Sequence, residues 1–294
     1  MRLLITGGDG QLGREFASYQ SANTTIITCP RNALDITDME SIRRAVQHHQ
    51  PDAIINAAAY TAVDRAEQEI DAAFAINAYG VENLARAAEE HALPLLHVST
   101  DYVFAGNKPR GEAYCETDDC EPRTVYGRSK LAGERLALAH CSRTFIARTS
   151  WVFGRYGNNF PKTMLRLGQE REELRVVADQ WGGPTHAADI AAMLINAAHA
   201  LLGQSLAPGI YHFSGTPLCT WFDLATAVFA EAGKAGLRTP RVIPIATHEY
   251  PVAAERPANS ALDCNKLTQA LAIPLSDWQA GIQMLVAELA TNQI

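Results

Sequence analysis

Residues 2–13 read Arg2-Leu3-Leu4-Ile5-Thr6-Gly7-Gly8-Asp9-Gly10-Gln11-Leu12-Gly13. A short apolar run of strand character passes directly into a turn with glycines at 7, 10 and 13, and a helical pattern continues from Gln11 to about Tyr19. Glycine permits a tight turn and lets backbone N–H groups approach a pyrophosphate seated at the positive end of the following helix. Three glycines alone mark many turns. Set between a first strand and a first helix, they imply a dinucleotide. Gly7, Gly10, Gln11, Leu12 and Gly13 are therefore candidate cofactor residues.

Working outward, the same alternation repeats. Thr24 to Thr28 is β-branched and reads as a second strand, Ile42 to His49 as a helix stopped by Pro51-Asp52, and Ala53 to Asn56 as a third strand. A long alanine-rich helix is expected over about Ile70 to His91, a strand at Leu95 to Ser99, a helix from about Val125 to His140 and a strand at Phe145 to Arg148. Strands alternating with helices of this length form βαβ units and a parallel sheet covered on both faces, so the fold class is α/β with a doubly wound Rossmann-type sheet.

The second half is less regular. Gly154 to Asn159 and Asp179 to Pro184 read as loops, Ala187 to Leu202 as a helix, and Ile210 to Phe213 as a strand able to return to the sheet. Residues 220–294 hold two helical patterns around a stretch punctuated by Pro240, Pro244, Pro251 and Pro257. This divides the chain into a cofactor domain of residues 1–150 plus about 185–215, and a smaller interleaved substrate-binding lobe of residues 151–184 and 216–294.

The end of the second strand is where NAD and NADP are told apart, because an acid there binds the ribose hydroxyls and repels a 2′-phosphate. Here the segment is Cys29-Pro30-Arg31-Asn32, with an arginine and no acid. The reading is NADPH or NADH, leaning toward NADPH. Asp35 and Ile36 lie where such a sheet wraps the adenine, and Ala57, Ala58 and Ala59 leave room for the cofactor backbone.

Tyr126-Gly127-Arg128-Ser129-Lys130 is a Y-x-x-x-K inside a helical pattern. Positions i and i+4 share a helical face, so phenol and ammonium point into one cleft. A phenol of pKa ~10 exchanges protons poorly at neutral pH, and a nearby lysine cation lowers that value. Tyr126 is then a competent acid, and Lys130 can also hold the nicotinamide ribose. The third member is Ser99 or Thr100, a hydroxyl at the C-terminal end of a strand able to hydrogen-bond a substrate carbonyl. Y-x-x-x-K alone recurs by chance in many helices; the glycine loop and the Ser99-Thr100 strand end give it its context.

Bulk properties narrow the function classes. The chain has 294 residues, a formal net charge of −7 and a hydrophobic fraction of 47%, an ordinary globular balance without the basic patch that nucleic acid or an anionic membrane favours. No apolar run approaches the ~20 residues of a membrane span, and no secretory signal opens the chain, so a cytoplasmic protein is expected. The six cysteines show no C-x-x-C pair and no zinc spacing, which reads as reduced and structural, with no metal site.

Taken together, these residues resemble the extended short-chain dehydrogenases and, more narrowly, the dTDP-4-dehydrorhamnose reductases. The similarity runs nearly end to end: LLITGGDGQLG from Leu3, NAAAYTAVDRAE from Asn56, STDYVFAG from Ser99, YGRSKLAGE from Tyr126, RTSWVFG from Arg148, GNNF from Gly157, DQWGGPT from Asp179 and ERPANSALD from Glu255. The resemblance implies NAD(P)H-dependent reduction of the C4 ketone of dTDP-6-deoxy-L-lyxo-4-hexulose to dTDP-L-rhamnose. It implies Thr100, rather than Ser99, as the triad hydroxyl. It also implies Asp101, Tyr102 and Trp151 around the sugar, and Asn159, Arg256 and Asn259 near the nucleotide diphosphate; for Trp151, core packing is an equal reading. Arg256 suits phosphate, since a guanidinium forks onto its oxygens.

Some members of that family dimerise around magnesium held by acids on the first helix and near the Asp189-Ile190-Ala191 segment. Glu15 and Asp189 remain here, but Ala188 stands where a glutamate is expected. That leaves the magnesium set short of a ligand, with monomer and metal-free homodimer both open. Two rivals stay in view. One is a nucleotide-sugar epimerase or dehydratase on the same scaffold, the dehydratase disfavoured because Asp101 is followed by Tyr102 rather than by an acid. The other is a non-catalytic regulatory subunit like that of a methionine adenosyltransferase, disfavoured by the intact Thr100, Tyr126 and Lys130.

Overall fold

A strand covered by helices on both faces must be apolar on both, and the central runs of the first half are. Leu3, Leu4, Ile5, Ile54, Ile55, Leu95, Leu96, Phe145 and Ile146 are wholly buried. The computed structural model describes residues 1–291. In chain order the first half comprises β1 (Arg2–Thr6), α1 (Gln11–Ser18), β2 (Thr25–Cys29), α2 (Met39–His49), β3 (Ala53–Asn56), α3 (Val63–Ala66), α4 (Ile70–Phe74), a π-helical turn (Ala75–Tyr79), α5 (Gly80–Glu90), β4 (Leu95–Thr100), α6 (Val125–His140) and β5 (Thr144–Thr149).

The second half continues with β6 (Val152–Phe153), α7 (Phe160–Glu170), β7 (Glu173–Val177), β8 (Trp181–Gly182), β9 (Thr185–His186), α8 (Ala187–Leu202) and β10 (Gly209–His212). It ends with β11 (Gly215–Thr216), β12 (Cys219–Thr220), α9 (Trp221–Lys234), β13 (Arg241–Ile245), α10 (Asn265–Leu271), β14 (Ser276–Asp277) and α11 (Trp278–Thr291).

The main sheet has six strands in the order β10-β5-β4-β3-β1-β2, and every neighbouring pair is parallel. Alternation along each strand sends side chains to two cores. Leu3, Ile5, Ile55, Phe145 and Ala147 meet α1 and α8 on one face, while Leu4, Ile54 and Leu95 meet α2, α5 and the Ala137 end of α6 on the other. This is the doubly wound Rossmann-type sheet expected from the sequence. Chain order reverses between β1 and β3, so the crevice beyond their C-terminal ends is the natural ligand site. A third cluster, with Phe153, Leu165, Leu174, Leu224, Phe229, Ile282 and Leu285, is the core of a smaller body built from α7, β7, α9 and α11.

Three local differences from the sequence reading have physical reasons. The helix expected over 70–91 is interrupted by the π turn, against which α6 packs closely: a Cβ at Gly133 would lie 2.0 Å from the Asn77 carbonyl oxygen. The proline-punctuated stretch after Lys234 hides β13, which lies parallel to β7; Pro244 lacks an N–H and is tolerated on such an edge strand. Among the described residues, 220–291 contain three α-helices rather than two, because the seven residues of α10 are too few for a periodic pattern.

All six cysteines are free. Among the described residues, no helix is long and apolar enough to cross a membrane.

Candidate active site

The glycine loop joins β1 to α1 at the chain-order reversal. Gly7 has φ of 69°, and a Cβ there would fall 2.8 Å from the Ala58 backbone. At Gly13 a Cβ would fall 2.2 Å from the Gly7 carbonyl oxygen. Both glycines are therefore demanded by close approach of chain to chain. The N-cap of α1 is Gly10, with no side chain closing its N–H groups.

Beside this loop lies a cavity of about 250 Å³ lined by Gly7, Asp9, Gly10, Arg31, Leu34, Asp35, Ile36, Ala57, Ala58, Ala59 and Ile76. Eight of the cofactor residues named from the sequence thus share one wall. Gln11, Leu12 and Gly13 do not line it: Leu12 faces the core, and Gln11 Oε1 accepts from the Asn159 amide at 2.8 Å. The open helix end, the close-packed glycines and the alanine wall fit a dinucleotide. At the mouth Arg31 is mostly exposed and pairs with Asp35 at 3.3 Å. Hydrogen bonds from Thr37 and the Arg31 charge outweigh burial and hold the Asp35 carboxyl below its ordinary range.

Tyr126 and Lys130 lie one turn apart in the first half of α6, whose N-cap Thr124 accepts from the Gly127 N–H. The Tyr126 phenol is hydrogen-bonded to Thr100, at the end of β4, and its ring meets Tyr102 edge-on at 5.5 Å. Burial, partly offset by that hydrogen bond, pushes Tyr126 up to about 12. Lys130 is buried and donates to the Val98 carbonyl at 2.7 Å, with its Nζ 3.3 Å from His97 Nε2. Burial lowers it to about 8, the nearby Glu134 opposing.

The expected lowering of Tyr126 by a lysine cation is not what this geometry produces. Here Lys130 is engaged by β4, and desolvation dominates at the phenol.

Between the two sequence candidates for the hydroxyl, Thr100 is the one in the cluster. Its Oγ1 donates to Asp101 Oδ1 at 3.0 Å and accepts from the Tyr102 N–H at 3.2 Å, whereas Ser99 Oγ is buried without a partner. Asp101 also accepts from Ser260 at 2.5 Å. Burial raises Asp101 to about 6, against the hydrogen bonds from Ser260 and Thr100. A folded-state value above the ordinary ~4 means that the fold favours the protonated acid. The resulting stability is complete below pH ~4 and is lost as pH rises to about 6, on the order of 2–3 kcal/mol. Asp101→Asn should remove that slope, so its urea midpoint relative to the parent chain should rise between pH 4 and 6; parallel curves would refute the assignment.

The remaining sugar-side residues are less concentrated. Arg256 donates to Asp64 at 2.5 Å and lies close enough to influence the buried Tyr102 phenol, whose pKa burial raises. Trp151 adopts φ of 48° and stacks on Trp221 with ring centroids 3.6 Å apart, against Gly182. Asn159 caps α7 and spends its amide on Gln11 and Gly154. The buried Asn259 is likewise spent on the carbonyls of Lys108, Pro109 and Glu112. These two asparagines hold loops in this structure.

His97, Trp221, Ser260 and Asp64 were missed from the sequence. Only His97 carried a signal, a polar residue inside an otherwise apolar strand.

The magnesium set does not fit. Asp189 accepts from Ser276 at 2.6 Å, and the Arg155 guanidinium lies between Glu15 (3.6 Å) and Glu288 (3.5 Å), supplying positive charge there. Among the described residues no three His, Cys, Asp or Glu side chains are placed to hold a metal ion.

Comparison with known proteins shows the family. Residues 1–291 match the family model described as the RmlD substrate binding domain. The dTDP-4-dehydrorhamnose reductase of Aggregatibacter actinomycetemcomitans is 48% identical over 97% of this chain and 98% of its own. That of Escherichia coli K12 is 41% identical over 99% of both chains. The crystal structure of the Bacillus anthracis dTDP-4-dehydrorhamnose reductase in complex with NADP superposes with a TM-score of 0.90 at 40% identity, covering 98% of this chain and 99% of that one. With a full-length family match and relatives of this identity, the chain belongs to the dTDP-4-dehydrorhamnose reductase (RmlD) family.

Proposed function

We propose that this chain reduces the C4 ketone of dTDP-6-deoxy-L-lyxo-4-hexulose to dTDP-L-rhamnose, with NADPH as the preferred reductant. The observation that carries the reading is the convergence of Thr100, Tyr126 and Lys130 at the C-terminal end of β4, joined through His97 and Asn56 to the cavity wall at Ala58. The sugar itself is named by the relatives. Gly7, Gly10, Arg31, Asp35 and the Ala57–Ala59 wall would hold the dinucleotide, which when bound would supply the hydride for C4. Tyr126, held as a phenol by burial, donates its proton to the ketone oxygen. Thr100 hydrogen-bonds that oxygen once its own proton turns from Asp101, and Lys130 holds the ribose.

In this reading residues 1–150 with 185–215 seat the cofactor, and residues 151–184 with 216–294 seat the sugar nucleotide. Asp101, Tyr102 and Trp151 face the sugar and Arg256 the diphosphate, while Asn159 and Asn259 shape the site from behind. The enzyme works in the cytoplasm as a monomer or metal-free homodimer, with no nucleic-acid or membrane partner.

The test is loss of NADPH absorbance on adding the purified chain to the enzymatically prepared keto sugar, with NADH in parallel. One equivalent oxidised per sugar is expected. Oxidation of neither coenzyme, with binding demonstrated, would overturn the reading in favour of an epimerase on another sugar or a regulatory subunit. In the same assay Arg31→Ala should lower the preference for NADPH over NADH by roughly tenfold, the loss of one charged hydrogen bond to the 2′-phosphate. An unchanged ratio would remove Arg31 from the cofactor site.

A further inference from the structure

Among the described residues, five other than glycine have positive φ. Gln50, Ala92, Gln204 and Ala272 each sit just past a helix, where that conformation closes the C-terminus. Trp151 instead follows a strand. Its φ of 48° crowds a bulky side chain against its own backbone, a conformation that persists only where neighbours impose it. Its place is the C-terminal end of the main sheet: Thr149 of β5 lies opposite Thr100 of β4, and Trp151 is two residues further on.

The neighbours that impose it come from the smaller body. The Thr185 N–H donates to the Trp151 carbonyl at 3.2 Å, and the Thr185 hydroxyl to the Ser150 carbonyl at 2.7 Å, which pins the backbone at the bend. β8 and β12 pair antiparallel, with Trp181 opposite Thr220, so Gly182 of β8 and Trp221, the first residue of α9, are brought to the same indole. The Trp221 ring lies within 10° of parallel to that of Trp151, and a Cβ at Gly182 would fall 2.7 Å from the Trp151 Cε2. Trp221 is itself fixed: its N–H donates to Gln180 Oε1 at 3.1 Å, and the buried Gln180 donates to Thr247 at 3.2 Å. The same β8 reaches the chemistry. The Trp181 carbonyl accepts from the Ser260 N–H at 2.7 Å, and the Ser260 hydroxyl donates to Asp101 beside Thr100.

We infer that Trp221 and Gly182 are positioning residues, which hold Trp151 in its left-handed conformation so that the partly exposed indole forms the sugar wall beside Thr100. That role for the indole rests on the reductase reading. An aromatic wall against the apolar face of a sugar excludes water and contributes affinity equally before and during reaction. Its displacement therefore raises KM for the sugar nucleotide and leaves kcat. If the stack were only core packing, its loss would lower the folded fraction and leave both Michaelis constants where they are.

Steady-state kinetics tells the two apart. In Trp221→Ala the KM for the keto sugar nucleotide should rise about tenfold, with kcat and the KM for NADPH within about twofold of the parent chain. Trp221→Phe, which keeps a flat ring against the indole, should recover most of the change. Gly182→Ala, which leaves Trp221 in place and drives a methyl group into the indole, should raise the same KM. An unchanged sugar KM in folded Trp221→Ala, or equal losses of sugar and NADPH affinity, would overturn the inference. Should Trp221→Ala not fold, Gly182→Ala decides by the same readout. A parent chain that oxidises neither coenzyme sinks the reductase reading rather than the clamp, which is then judged without turnover. In nitrogen-15 NMR of the cofactor-free protein, the Trp151 indole signal, identified by its loss in Trp151→Phe, should move in Trp221→Ala. An unmoved signal would show that Trp221 does not hold it.

Discussion

Tyr126→Phe should bind NADPH as the parent chain does and lose roughly 10²–10⁴-fold in turnover, the usual contribution of a positioned general acid. The substitution keeps the ring that packs edge-on against Tyr102 and deletes only the hydroxyl that bonds Thr100. It leaves Lys130 in its contacts with Val98 and His97, so the cofactor side of the site is undisturbed. Because burial has moved Tyr126 up to about 12, the phenol is the form present across the neutral range, which suits a donor rather than a base. Cofactor titration by fluorescence together with steady-state rates separates the two effects. Full turnover in the variant would remove Tyr126 from the chemistry, and a parallel loss of NADPH binding would assign it to the cofactor instead.

The largest expected loss of stability lies directly behind that site. Glu134→Leu should destabilise the protein by about 3–5 kcal/mol, because it strands a buried guanidinium. Arg148 and Glu134 are almost completely inaccessible, and the carboxylate receives Arg148 Nε at 2.9 Å and Nη2 at 2.7 Å. Little else satisfies the arginine: Nη2 reaches the Cys120 sulfur at 3.3 Å, the guanidinium lies over the Phe104 ring, and Nη1 has no hydrogen-bond partner. Replacing both partners, Arg148→Met with Glu134→Leu, should recover much of that loss, since a buried pair is worth little more than well-packed apolar side chains. Urea denaturation of the single and double variants checks both statements. Equal midpoints for Glu134→Leu and the parent chain would show that the pair contributes nothing to stability.

The sequence alone determined the layers of the cofactor half. Apolar runs such as Leu3–Ile5, Ala53–Ile55 and Leu95–Leu96, each followed by a helix-length segment, lead to a parallel sheet covered on both faces. The glycines at 7, 10 and 13 mark the turn that joins β1 to α1. These features were legible because they are local: strand and helix periods, and the space a Cβ occupies, are expressed within a few residues. The i, i+4 spacing of Tyr126 and Lys130 is legible for the same reason. In the second half, short strands and the seven-residue helix at 265–271 are too brief to express a period, and their pairing partners lie elsewhere in the chain.

Tertiary structure alone decided how the polar groups are used. His97 reads in sequence as an odd residue in a strand, and becomes a link only because β3, β4 and α6 bring Asn56, His97 and Lys130 within hydrogen-bond reach across 41 and 33 residues of chain. Arg148 resembles a surface charge until Glu134 is placed beside it in a core. Asn159 and Asn259 carry amides suited to a ligand, yet their loops consume them. The physical reason is common to all: a buried polar side chain must find a partner, and which partner it finds depends on which elements pack together.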